Sequence, residues 1–103
     1  MRRKHEVLVA GGGPVGLFAA LSLHERDVQV AVVDAEWERP IRSHACGLHP
    51  ATLRALSELG LLPALLPRGH TIDRLSVYRG HELAGQVSFA DLGEPFPHVL
   101  ALR

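Results

Sequence analysis

Val7-Leu8-Val9-Ala10-Gly11-Gly12-Gly13-Pro14-Val15-Gly16-Leu17 decides how the rest of this 103-residue chain is read. An apolar run ends in G-x-G-x-x-G and passes directly into helix-like sequence. Glycine at 11 permits a sharp turn, glycine at 13 lets backbone N–H groups approach a diphosphate, and glycine at 16 lets a helix pack closely on the strand. Pro14 falls in the first turn of that helix, where its missing N–H loses nothing. The helix N-terminus adds unpaired donors and partial positive charge, a combination suited to a dinucleotide's phosphates.

The residues after the turn give the motif its context. The helix runs from Pro14 to about Arg26, with Gly16, Ala19, Ala20 and Leu23 on the side expected to face a sheet and Leu17, Phe18 and Leu21 away from it. Val28-Gln29-Val30-Ala31-Val32-Val33 is β-branched and nearly uncharged, so it reads as a second strand. Asp34 ends it. Strand, glycine turn, helix, strand and terminal acid fit within about 30 residues, the arrangement expected of a Rossmann-like βαβ unit. A carboxylate at 34 would accept hydrogen bonds from the hydroxyls of an adenosine ribose, with Glu36 as the substitute if the strand runs longer. Both strands, apolar on each face, predict covering layers on both sides of the sheet.

The N-terminus has a second reading. Arg2, Arg3 and Lys4 precede an uncharged stretch from Val7 to Leu23, which superficially resembles a secretion signal. Three glycines and a proline interrupt it, and it falls short of the roughly 20 residues that span a bilayer. Strand, turn and helix account for it better. A chain of this length suits one small domain that buries only about two thirds of its unfolded surface. Its 47% apolar content argues against disorder. Eleven basic and eleven acidic side chains cancel, which leaves no electrostatic case for nucleic acid or an anionic membrane. The single cysteine, Cys46, rules out an internal disulfide and fits a reducing cytoplasm.

Farther along, Ala35 to Gly47 has no period and reads as a surface loop. Pro50 to Leu59 is a predicted helix with Leu53, Leu56 and Leu59 on one side and Gly60 as its stop. A further short helical turn comes at 61–67, broken by Pro67. Ile72 to Tyr78 and Leu83 to Phe89 read as a hairpin around Arg79-Gly80-His81-Glu82, the second strand alternating as a half-buried strand does. His98 to Leu102 opens another strand, whose exposed edge would invite pairing with a second copy. His44-x-Cys46-x-x-His49 offers three metal-ligand types but no fourth at ligand spacing, so these residues read as loop, not as a metal site. A reactive Cys46 thiol would need a neighbouring base or cation such as His44 or Arg42. Arg42 itself reads equally well as a solvated arginine or a phosphate ligand.

The glycine unit, the strand ending Val32-Val33-Asp34, the loop Pro40-Ile41-Arg42-Ser43-His44-Ala45, and Leu48-His49-Pro50-Ala51-Thr52-Leu53 before a leucine-rich helix together resemble the N-terminus of FAD-dependent aromatic hydroxylases of the para-hydroxybenzoate hydroxylase type. The resemblance covers essentially the whole chain. It implies an α/β fold: a Rossmann-like βαβ dinucleotide-binding unit, then a helix and an antiparallel β-hairpin, forming part of a domain. Residues 1–103 would be an N-terminal FAD-binding fragment, with 71–103 the start of an interleaved β-rich substrate region. By the same resemblance, Gly11, Gly13, Pro14 and Gly16 would hold the FAD pyrophosphate, Asp34 the adenosine ribose, and Arg42 would lie near the flavin diphosphate.

In that family NAD(P)H reduces the flavin, dioxygen reacts with it, and one oxygen atom passes to a small organic substrate; the protein orients the cofactor. Family members are several times longer, and their second flavin-contacting motif and substrate-covering sheet have no counterpart here. No catalytic residue is therefore assigned, and the expectation is a fragment that does not turn over substrate by itself. Two other readings stand beside this one: another FAD- or NAD-dependent oxidoreductase built on the same unit, and a non-catalytic nucleotide-binding fragment. Asp34 does not separate FAD from NAD, because both present the same ribose diol.

Overall fold

A computed structural model describes residues 4–36 and 46–102. The chain divides into two compact units, residues 1–41 and 42–103.

In the first unit, β1 (Val7–Ala10) pairs in parallel with β2 (Val30–Val33), with Val7 opposite Val30 and Val9 opposite Val32. The connection between them is α1 (Pro14–His24). The helix is shorter than its sequence suggested because the chain turns out after His24. Asp27 adopts φ +61°, while its N–H bonds to the His24 carbonyl and that of Val28 to the Leu23 carbonyl. These paired bonds close off the last carbonyls of a helix.

The small-residue side of α1 is the covered one, as expected: Ala20 is buried, and Leu17, Phe18 and Leu21 are exposed. Val7 and Val9 are half-buried on the helix side of the sheet, and Leu8 on the other face is 64% exposed. The expected second covering layer is therefore not found among the described residues of the first unit. One helix covers one face of a two-stranded sheet, and the alternation of side chains leaves Leu8 and Val33 on the other. Beside α1, an open groove of about 240 Å³ is lined by Leu17, Ala20, Leu21, His24, Val30 and Val32.

The second unit is built around a three-stranded antiparallel sheet, with β7 (Val99–Leu102) between β3 (Cys46–Leu48) and β4 (His70–Ile72). Two expectations are corrected by this order. Cys46 and Gly47 belong to a strand, not a loop, because Leu102 and Ala101 supply their partners. The strand at the C-terminal end is also central, so it has no open edge to offer a second copy.

Between β3 and β4 come α2 (Pro50–Glu58), α3 (Leu62–Leu65) and a 3-10 turn over Leu66–Arg68. Pro50 occupies the first helical position of α2. Gly60, at φ +71°, ends α2: its N–H bonds to the Ser57 carbonyl and that of Leu61 to the Leu56 carbonyl. Glycine reaches this left-handed geometry without a Cβ penalty. Pro67 does not stop the helical path but lies inside the 3-10 turn, whose start tolerates a missing N–H.

Leu53, Leu62 and Leu100 form the core, with Leu48, Leu65, Phe96 and Leu102 packed around them. Leu53 of α2 is thus core packing, as the leucine period implies, while Leu56 of the same helix and Leu59 just beyond its end are only partly buried. On the surface, Arg54 donates to both carboxylate oxygens of Glu94 at 3.1 and 3.0 Å. An ion pair this exposed contributes at most about 1 kcal/mol.

The hairpin consists of β5 (Arg74–Arg79) and β6 (Glu82–Ser88). Its pairing shifts between Val77 and Tyr78: Val77 faces Gly85 and Tyr78 faces Leu83, so Ala84 is the extra residue of a bulge. Ile72 is not part of this strand but pairs with Val99 in the other sheet. Phe89 begins a 3-10 turn that ends at Leu92. The expected half-burial is absent as well. Leu75, Val77 and Val87, which share a face, are each more than half exposed. Period-2 alternation marks a face suited to burial, and no described element of the second unit lies against it closely enough to bury it.

Candidate functional site

The glycine turn is assembled by backbone contacts. Gly11 takes φ +111°, a conformation that side-chain-bearing residues rarely adopt, and its N–H donates to the Val33 carbonyl at 2.7 Å. The turn is thereby fastened to the end of β2. Gly16, in the first turn of α1, lies against the Gly11 carbonyl oxygen so closely that a Cβ there would collide with it. It would also sit 3.3 Å from Val9 Cγ1. The third glycine of the pattern therefore sets the distance between helix and strand. At Gly13, by contrast, a Cβ would meet nothing within 4 Å, so the space beside the turn is open.

Gly13 is the N-cap of α1 and Pro14 its first helical residue. The first helical bond runs from the Leu17 N–H to the Gly13 carbonyl at 2.9 Å. The N–H groups of Val15 and Gly16 thus precede the regular i to i−4 pattern, where a helix leaves its donors directed outward. The first turn holds no acidic side chain, and no side chain caps it. An anion placed there meets backbone donors and the positive end of the helix dipole without carboxylate repulsion from that turn.

Asp34 comes directly after β2, so Glu36 is not needed as the strand-end acid. Asp34 Oδ2 accepts a hydrogen bond from the Gly12 N–H at 2.6 Å, and Oδ1 accepts one from the Glu36 N–H at 2.8 Å. The acid and the glycine turn are therefore adjacent. Gly12 is the residue that sequence reasoning passed over, since it fills a variable position of the pattern. A signal was present: Asp-x-Glu after a strand favours a turn in which an aspartate side chain takes the N–H two residues on, and this fixes where the carboxylate points.

Arg42 and His44 lie outside the described residues. Cys46 is exposed on β3 and is not in a disulfide. Among the described residues, no group of three or more His, Cys, Asp or Glu side chains is gathered as a metal site, and no helix is long and apolar enough to cross a membrane.

Parallel strands joined through a glycine turn and a helix, with an acid held beside that turn, define a dinucleotide-binding α/β unit. A family model described as the FAD binding domain matches residues 4–99, and the chain belongs to that family. It is similar to 6-methylpretetramide 4-monooxygenase of Streptomyces rimosus, with 37% identity over 99 residues, covering 94% of this chain and 18% of that protein. It is also similar to para-nitrophenol 4-monooxygenase of a Pseudomonas strain, with 32% identity over 93% of this chain and 25% of the relative. The crystal structure of p-nitrophenol 4-monooxygenase from Pseudomonas putida superposes with a TM-score of 0.82 at 32% identity, covering 95% of this chain and 26% of that one. The chain thus spans a quarter or less of the length of these curated relatives. The α/β fold and the FAD-binding assignment expected from the sequence both hold.

Proposed function

We propose that the chain is the cofactor-binding N-terminal portion of an FAD-dependent, NAD(P)H-using monooxygenase that hydroxylates an aromatic or similar small organic substrate. The family match and the monooxygenase names of its relatives support the reaction class. The observation that carries the site is the juxtaposition of the open glycine turn, the N-terminus of α1 and the Asp34 carboxylate.

In this reading Gly11, Gly13, Pro14 and Gly16 shape the seat of the FAD pyrophosphate, with the N–H groups of Gly13, Val15 and Gly16 as its donors. Asp34 takes the adenosine ribose. Arg42 is assigned near the flavin diphosphate by resemblance alone. The fit is favourable because the Gly13 side of the turn is open and the helix N-terminus carries no competing acid. Bound flavin supplies the hydride-accepting and oxygen-activating chemistry, and this chain's residues hold and orient its ADP portion. Residues 71–103 are read as the beginning of a β-rich substrate region, supported by the apolar face that the hairpin leaves open. The lone cysteine supports a cytoplasmic setting.

Titration of the purified chain with FAD, NADH and ADP tests the reading. FAD binding tighter than both others is expected. Preference for NADH would transfer the site to a nicotinamide enzyme, and equal weak binding of all three would reduce it to a generic adenylate site. No steady NAD(P)H oxidation above that of free FAD is expected from the 103-residue chain.

A further inference from the structure

We infer that Asp34 is the positioning residue of the phosphate turn, tying Gly12 to the end of β2 so that the turn is held in its binding shape. The functional half of this inference rests on the nucleotide reading above. The structural half does not.

The Gly12 N–H to Asp34 Oδ2 bond, at 2.6 Å, joins residues 22 apart in sequence and pairs a backbone donor with a carboxylate oxygen. Such charge-assisted bonds are roughly twice as strong as neutral ones. The second bond, from the Glu36 N–H to Oδ1, fixes the carboxylate from the other side, so Oδ2 is aimed at the turn by its own chain segment. Gly12 permits this approach: a Cβ there would stand 3.1 Å from Oδ2 and 3.5 Å from the Asp34 Cβ. With Gly11 bonded to Val33, two successive N–H groups of the turn are anchored to the end of β2. Pro14 has no N–H, so phosphate binding is left to Gly13 and the first residues of α1. Asp34 thereby sorts the turn's donors into anchors and ligand contacts.

The sign of the effect of removing the carboxylate separates positioning from simple repulsion. A negative charge near a phosphate site repels an anion, so its removal should by itself tighten binding of a ligand that has no ribose. If the carboxylate holds the turn in shape, its removal should weaken such binding instead.

The test uses inorganic pyrophosphate, followed through the backbone amide resonances of the wild-type chain, Asp34→Ala and Asp34→Asn. In ligand-free Asp34→Ala, the Gly12 amide should exchange with solvent at least tenfold faster than in wild type, while the Val9 and Ala31 amides, which bond across the β1–β2 ladder, keep their protection and report an intact sheet. Pyrophosphate affinity of that variant should fall at least threefold. Asp34→Asn keeps a carbonyl acceptor for the Gly12 N–H and should bring affinity back to within twofold of wild type. Unchanged Gly12 exchange in Asp34→Ala, or equal or tighter pyrophosphate binding, would overturn the inference. If wild type does not bind pyrophosphate, Gly12 exchange alone decides whether the tie exists; if it binds no FAD either, the nucleotide reading fails.

Discussion

The Cα of Gly16 and the carbonyl oxygen of Gly11 are in such close contact that only a hydrogen fits between them. This contact sets how closely α1 approaches β1, and so where the helix N-terminus stands relative to the turn. Gly16→Ala must push the helix away. Overpacking of this kind typically costs about 1–3 kcal/mol. Gly11→Ala should also destabilise, through strain at φ +111°, by about 1–3 kcal/mol. Both variants are expected to lose FAD affinity at least tenfold, measured by flavin fluorescence titration with amide spectra as the check on folding.

The core of the second unit depends on few side chains. Leu53 and Leu100 are each fully buried and belong to one cluster with Leu62. Leu100→Ala or Leu53→Ala should cost about 2–5 kcal/mol, enough to unfold a unit this small. Loss of slowly exchanging amides in α2 and β7 would register it, while the β1 and β2 amides keep theirs if the two units are independent in stability.

Two glycines of the same unit offer a matched comparison. At Gly69 a Cβ would lie 2.6 Å from Leu100 Cδ1 and 2.9 Å from the Ala101 carbonyl oxygen; at Gly85 it would meet nothing within 4 Å. Gly69→Ala should destabilise by about 1–3 kcal/mol, since a backbone oxygen cannot move aside cheaply. Gly85→Ala should be close to neutral in urea denaturation.

Asp27 offers the opposite sign. It occupies the left-handed conformation that closes α1, where glycine carries no Cβ penalty. Asp27→Gly should stabilise the first unit by roughly 0.5–1 kcal/mol, seen as a rise of a few degrees in Tm, without changing FAD affinity.

Much of the first unit was legible because its signals are local. Glycine at 11, 13 and 16, proline at 14 and the β-branched run ending at Asp34 each act within a few residues, and β1, α1 and β2 form there with only their ends adjusted. The second unit was less legible, for a physical reason. Ile72 and Arg74 read as one apolar-patterned run, yet Ile72 pairs with Val99 and Arg74 with Ser88, so one stretch serves two sheets. Strand partners lie tens of residues apart, and periodicity carries no information about which of them will be met. Cys46 and Gly47 show the same limit: too short and irregular to read as a strand, they become one because β7 offers its backbone.

At the site, the sequence by itself determined the turn, the helix after it and the acid at the end of the second strand, because glycine freedom, the fixed φ of proline and β-branched stiffness act on the chain locally. Tertiary structure decided what those parts do to one another. Gly16 limits the helix through the Gly11 carbonyl, and the Asp34 carboxylate takes the Gly12 N–H from 22 residues away. Those contacts depend on the parallel pairing of β1 with β2, which brings the two strand ends side by side. Until that pairing forms, the residues are distant in space, and nothing in their identities fixes a 2.6 Å hydrogen bond between them.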